Sequence, residues 1–223
     1  MLTLSTSKIT IVGVGRSAPV RPRKKRGDLY HHGDLRRALL EEALRTIQTH
    51  GVEQLTLRTV GQRLGVSRSA LYRHFSSKQA LLAAVGREGF RTLRLALTEA
   101  WERNGRGRPG FEAMAIAYVQ FAVSHPSHYR VMFGRFVESC ATDAEFVAEA
   151  TAAFQVLVDS LVDQQGAGVV RRDDPLLLAR FIWSLVHGLA MLTIDGQLRD
   201  VDEHGDALSR YAIDRIRSAI GAA

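Results

Sequence analysis

Thr56-Leu57-Arg58-Thr59-Val60-Gly61-Gln62-Arg63-Leu64-Gly65-Val66-Ser67-Arg68-Ser69-Ala70-Leu71-Tyr72-Arg73-His74 reads as two short helices held at a tight turn. Thr56 precedes the first, Leu57 to Leu64, and Gly65 stops it; Ser67 caps the second, Arg68 to His74. Val60, Leu64, Val66 and Leu71 are spaced to meet in one small core. Gly61 has no side chain where two short helices must cross closely, and Gly65 suits the left-handed conformation of a tight inter-helix turn. Two short helices around a Gly-containing turn are a helix-turn-helix, whose second helix enters the DNA major groove. Arg68, Ser69, Tyr72, Arg73 and His74 give that helix a polar outer face, and Arg58 to Lys78 holds five cations and no acid.

Outward from this unit the chain stays helical. Leu35, Ala38, Leu39, Ala43 and Ile47 recur at helical spacing upstream, with Asp34 as the expected cap and Gly51 as the stop. Downstream, Ser76 and Gln79 have the spacing of a capping box opening a long helix to about Arg103. That helix puts Lys78 in its first turn, where a cation opposes the helix dipole unless an anion such as a DNA phosphate sits there.

Charge has the same focus. The 223 residues carry a formal +7, of which residues 1–27 hold seven cations without an acid. Residues 28–82 add three positive charges, and residues 83–223 remove three. A polyanion-binding front joined to a mildly acidic remainder follows. One cysteine, Cys140, allows no internal disulfide, and no Cys/His cluster has zinc spacing, so a reduced cytoplasmic setting without metal or cofactor is expected. No run of about eighteen apolar residues is present, and no membrane role is expected. Ile9 to Ala18 contains G-x-G-x-x-A after a short apolar run, but Pro19 and Pro22 block the helix that a dinucleotide site requires. Residues 1–27 are therefore expected to be a disordered basic arm, in which Arg23, Lys24, Lys25 and Arg26 face DNA.

The run from Thr56 through Leu71-Tyr72-Arg73-His74-Phe75 to Lys78 and Leu82 closely resembles the signature of the TetR/AcrR family of bacterial transcriptional regulators. Gly61 departs from the Ala more usual there and weakens its helix by roughly 1 kcal/mol. The resemblance implies that Tyr72, His74 and Lys78 hold phosphates, that Thr56 and Arg58 approach the backbone or groove edge, and that Arg68 and Ser69 face bases.

After residue 103 the pattern is all-α. Asn104 to Gly110 should break the chain, and Phe111, Met114, Tyr118 and Phe121 mark a helix ending at His125-Pro126. Further helices are expected near Ser127, from Thr142 to Gly166, from Pro175 to Ile194, and around Leu208 to Ala219. The Pro175 helix is apolar nearly all round and so should be buried on two faces; with the last helix it forms the expected self-association surface. TetR-like proteins dimerise through their last two helices, which implies a homodimer here. Trp183, His187 and Gly188, with His125-Pro126 and Tyr129, resemble the effector domain of a Trp-His-Gly subgroup. That resemblance implies a ligand cavity to which Met114, Tyr118, Phe121, Met132, Phe136, Phe154, Trp183, His187 and Met191 contribute.

The expected fold is thus an N-terminal three-helix helix-turn-helix domain (28–80) joined by a long helix to a helical effector-binding and dimerisation domain (81–223). The expected function is a regulator, most often a repressor, that binds a palindromic operator on double-stranded DNA and responds to an unknown small-molecule effector. A non-specific architectural DNA binder is the alternative, which the capping and turn chemistry of a rigid reading head disfavours. An enzyme is not expected, because no G-x-S-x-G, Walker loop or paired metal motif occurs.

Overall fold

A computed structural model describes residues 32–198 and 206–222. The apolar patch Ile9–Val14 and the basic run Arg23–Arg26 lie outside them. Among the described residues every regular element is a helix, and the only strand-like pairing is an isolated antiparallel bridge between Val170 and Gly221.

Helix α1 (His32–His50) packs over α2 (Leu57–Leu64), which packs in turn on α3 (Arg68–His74). It starts before Asp34, so that residue lies inside the first turn and is not the cap expected of it. Leu39, Ala43, Ile47, Leu55, Val60, Leu71 and Phe75 bury the domain core, with Leu64 and Val66 half-buried at its edge. Thr56 forms a capping box with Thr59, its Oγ1 accepting from the Thr59 amide at 3.0 Å. Gly65 closes α2 at φ 67°, ψ 26°, in the left-handed region that glycine enters without cost. A Cβ on Gly61 would stand 2.8 Å from Leu71 Cδ1, which is why the α2–α3 crossing takes a residue with no side chain.

Helix α4 (Lys78–Arg103) runs from this domain into the remainder, packing on α5 (Gly107–Ser124), α6 (Pro126–Phe133) and α8 (Ala144–Gly166). Its cap is Ser77, whose Oγ accepts from the Ala80 amide at 3.1 Å; the expected Ser76–Gln79 box lies one residue early. The break after α4 is also shorter than Asn104–Gly110. α5 already begins at Gly107 and takes Pro109 into its first turn, where amides have no helical acceptor to lose. α7 (Val137–Cys140) is a single turn, and Asp143 caps α8 through the Phe146 amide at 2.9 Å.

Helix α9 (Pro175–Ile194) is capped by Asp174, and α10 (Asp206–Ile220) ends where Arg171 N–H donates to the Ile220 carbonyl at 3.0 Å. α9 is long and apolar enough by composition to cross a membrane, yet only 33% of that window is buried inside the protein. Leu177 (60% exposed), Phe181, Leu185 and Leu192 form an apolar arc that is exposed on the single chain, while Leu178, Ile182, Val186 and Leu189 bury another face of α9.

Candidate DNA interface and ligand cavity

The recognition face is built by caps at both helix starts and a glycine turn between them. Ser67 Oγ accepts from the Ala70 amide at 3.2 Å and lies 3.1 Å from Ser69 Oγ, so both serines are engaged at the start of α3. Arg68, Ser69, Tyr72 and Arg73 are exposed along α3, with the Arg68 guanidinium 5.4 Å from the centroid of the Tyr72 ring one turn on. That stacking holds a cation and an aromatic hydroxyl side by side on the outer face. Thr56 and Arg58 are exposed at the start of α2, and His74 is half-buried at the end of α3. Two of the five cations in this region are engaged inside the protein. Arg63 reaches back to Glu42 and Thr46, each at 3.3 Å, tying α2 to α1. Lys78 Nζ donates to the Glu53 carbonyl at 3.1 Å and lies 5.1 Å above the Phe136 ring. Burial lowers the Lys78 pKa, and nearby Glu53 partly restores it.

Phe136 therefore stands beneath two cations, Lys78 and Arg135, and Arg135 pairs with Glu53 at 2.8 Å. This cluster ties the loop before α2 to the segment after α6. Phe136 does not line the cavity expected of it, because α6 ends at Phe133 and the chain turns at Gly134 towards the helix-turn-helix.

A cavity of about 430 Å³ lies between α4, α5, α6, α8 and α9. Of the residues that the resemblance assigned to a ligand cavity, Met114, Tyr118, Met132, Phe154 and Trp183 line it. Phe121, His187 and Met191 do not. Phe121 is buried against the His125 ring at 4.9 Å, and Met191 is half-buried against the core. His187 sits behind the wall: Tyr129 Oη lies 2.7 Å and Tyr118 Oη 3.1 Å from its Nδ1. The Tyr129 hydroxyl also donates to Tyr118 Oη at 3.0 Å, and the Trp183 indole N–H donates to the same oxygen at 3.0 Å. Burial pushes the Tyr118 phenol up to about 12 and lowers His187, so both stay neutral at ordinary pH.

The remaining wall went unread in the sequence. Phe90, Leu93 and Leu97 of α4 line it at i, i+3 and i+7, and Phe146, Ala150, Ala153 and Leu157 of α8 at i, i+4, i+7 and i+11. Their helical spacing was visible, but periodicity marks an inward face without telling core from cavity. Arg180 at the rim was missed because a lone arginine on an apolar helix carries no signature.

Residues 39–85 match the family model described as bacterial regulatory proteins, tetR family, and residues 111–216 match the tetracyclin repressor-like C-terminal domain. An uncharacterised HTH-type transcriptional regulator of Mycobacterium tuberculosis is 29% identical over 170 residues, 75% of this chain and 73% of its own length. The class C tetracycline repressor of Escherichia coli is 46% identical over 50 residues, 22% of this chain and 23% of its own. Among solved structures, a protein of unknown function from Rhodococcus sp. RHA1 superposes with a TM-score of 0.76 at 32% identity, covering 86% of this chain and 98% of that one. A tetR-family regulatory protein from Rhodococcus RHA1 shares the fold at TM-score 0.68 and 18% identity, covering 84% of this chain and 97% of that one. With a capped helix-turn-helix leading through one long helix into a helical domain, the chain belongs to the TetR family of bacterial transcriptional regulators.

Proposed function

We propose that the protein is a dimeric, effector-responsive regulator of the cytoplasm, acting as a repressor at a palindromic operator, with the cavity as its effector site. One observation carries this reading. α4 holds the base of the reading head through Lys78 and forms a cavity wall through Phe90, Leu93 and Leu97, so one rigid element meets both sites. A ligand that binds better when α4 is displaced shifts the population of DNA-competent dimers, with couplings of about 1 to 3 kcal/mol typical of such switches. The apolar arc of α9 and the exposed Tyr211 of α10 support pairing of two copies through their last two helices. Two recognition helices on a two-fold axis then match major grooves one turn apart, about 34 Å. The domain limits proposed are a basic arm at 1–27, a reading head at 28–80 and an effector and dimerisation domain at 81–223.

In the docked complex Arg68 and Ser69 face bases; Tyr72, Arg73, His74 and Lys78 face phosphates; Thr56, Arg58 and Ser67 meet the groove edge; and Arg23, Lys24, Lys25 and Arg26 meet the backbone beyond. Lys78 reaches a phosphate by leaving the Glu53 carbonyl. A gel-shift titration on an operator selected from random DNA tests this assignment. Tyr72→Ala should weaken selected and random DNA alike, Arg68→Ala should relax sequence preference, and Lys78→Ala should reduce the salt slope by up to about one. Unchanged operator affinity in Tyr72→Ala overturns the docking.

A further inference from the structure

The cavity is hydrocarbon and ring surface nearly throughout, with one charged residue in its lining, Arg180. Arg180 lies on α9 one turn before Trp183 and two before His187, on the flank that meets the cavity, and its side chain is exposed at the rim. Arg94, Arg106, Arg130 and Arg217 of this domain each rest on a carboxylate; Arg91, Arg108, Arg172, Arg180 and Arg210 do not, and of these Arg180 alone lines the cavity, with no described residue partnering its guanidinium. Deeper in, the polar atoms are occupied by one another: the Trp183 N–H and the Tyr129 hydroxyl converge on Tyr118, and His187 closes the group. A ligand therefore meets no unsatisfied polar group along its body and a single cation at the entrance.

A cationic ligand is opposed by that charge, and a neutral apolar one leaves it unused. We propose that the cavity takes an amphipathic organic carboxylate, its apolar body inside and its carboxylate paired with Arg180 at the rim. A guanidinium offers a planar fork that matches a carboxylate with two parallel hydrogen bonds. At about 30 Å³ for a water-sized group, the 430 Å³ cavity accommodates a body of roughly a dozen or more non-hydrogen atoms. The proposal rests on the reading of this cavity as the effector site and adds the chemical class of what fills it.

Calorimetric titration of the full chain with decanoate, decan-1-ol and decyltrimethylammonium separates the terms, since the three share one apolar body. Decanoate should bind about five-fold more tightly than the alcohol, the scale of an ion pair at a water-accessible rim, and the cation most weakly. Arg180→Gln should bring decanoate down to the alcohol's affinity. Ala153→Phe fills the cavity and should abolish binding of both; Ala150→Leu, at a half-buried lining position, should weaken both if the larger change disturbs folding. Equal affinity for decanoate and decanol, or a preference that survives R180Q, overturns the anion pairing. No binding of any probe overturns the ligand class. Operator affinity is read separately in the same samples. Decanoate that binds through Arg180 yet leaves operator affinity unchanged supports the ligand assignment while overturning the effector role.

Discussion

His128 sits on α6 with its Nε2 buried and without a hydrogen-bond partner, its ring 5.9 Å from that of His125. Burial first, and the neighbouring His125 second, push its pKa down to about 4. The folded protein therefore keeps this imidazole neutral, while the unfolded chain takes up a proton near pH 6.5. Between those values the unfolded state binds more protons, so stability is fully present above about pH 6.5 and falls as pH drops towards 4, by at most about 3 kcal/mol. Urea unfolding at pH 7 and pH 5 should show the loss, and His128→Leu should remove most of it. His187, lowered by burial as well, contributes in the same direction and leaves a smaller slope in that variant. An undiminished slope would assign the acid sensitivity to another group. At this scale the sequence showed only that no Cys/His cluster has zinc spacing; burial of Nε2 depends on how α6 meets α4.

At the scale of an element, α4 carries two glycines at i and i+3 in a buried stretch. A Cβ on Gly86 would stand 2.4 Å from the Phe146 ring, and one on Gly89 would stand 2.5 Å from Met132 Sδ. Each glycine costs the helix up to about 1 kcal/mol relative to alanine. The return is close approach of α8 and α6, and the side chains they bring, Phe146 and Met132, both line the cavity. Gly86→Ala should destabilise the protein by about 1 to 2 kcal/mol despite the gain in helix propensity, because a packed ring has nowhere to move. Gly89→Ala should cost less, since a thioether adapts. Chemical denaturation measures both, and a stabilised Gly86→Ala would show that α4 and α8 are not closely seated there. The extent of this helix was legible to within a residue from the serines before it and the break after Arg103. Its glycine notches were not, because an isolated helix pays for glycine and only a neighbour explains it.

At the scale of the molecule, Leu177, Phe181, Leu185 and Leu192 form an exposed apolar arc on α9, and Gly188 on the same side has open space beyond its Cα. A smooth apolar helix face with a glycine suits close packing of a second α9. Phe181→Glu combined with Leu185→Glu should yield a monomer in sedimentation equilibrium and lower operator affinity by about a hundred-fold, since one reading head then loses the help of the other. A native chain that is itself monomeric at micromolar concentration would overturn the dimer. Deleting residues 1–27 should weaken DNA binding most at low salt and leave the preferred site unchanged.

Local chemistry was enough for the reading head. Caps at Thr56 and Ser67, the left-handed Gly65 and the small Gly61 each act within a few residues, so their order along the chain states their geometry. The helical class of the C-terminal domain was equally legible from its apolar spacing and its breakers. Which inward residues make a cavity and which make core was settled by packing between helices distant in the chain. Thus Phe90 and Arg180 join the wall, Phe121 and Met191 pack elsewhere, and Phe136 turns away to stand under Lys78. Periodicity identifies the face that a helix buries; what that face meets depends on the angle and distance at which other helices arrive.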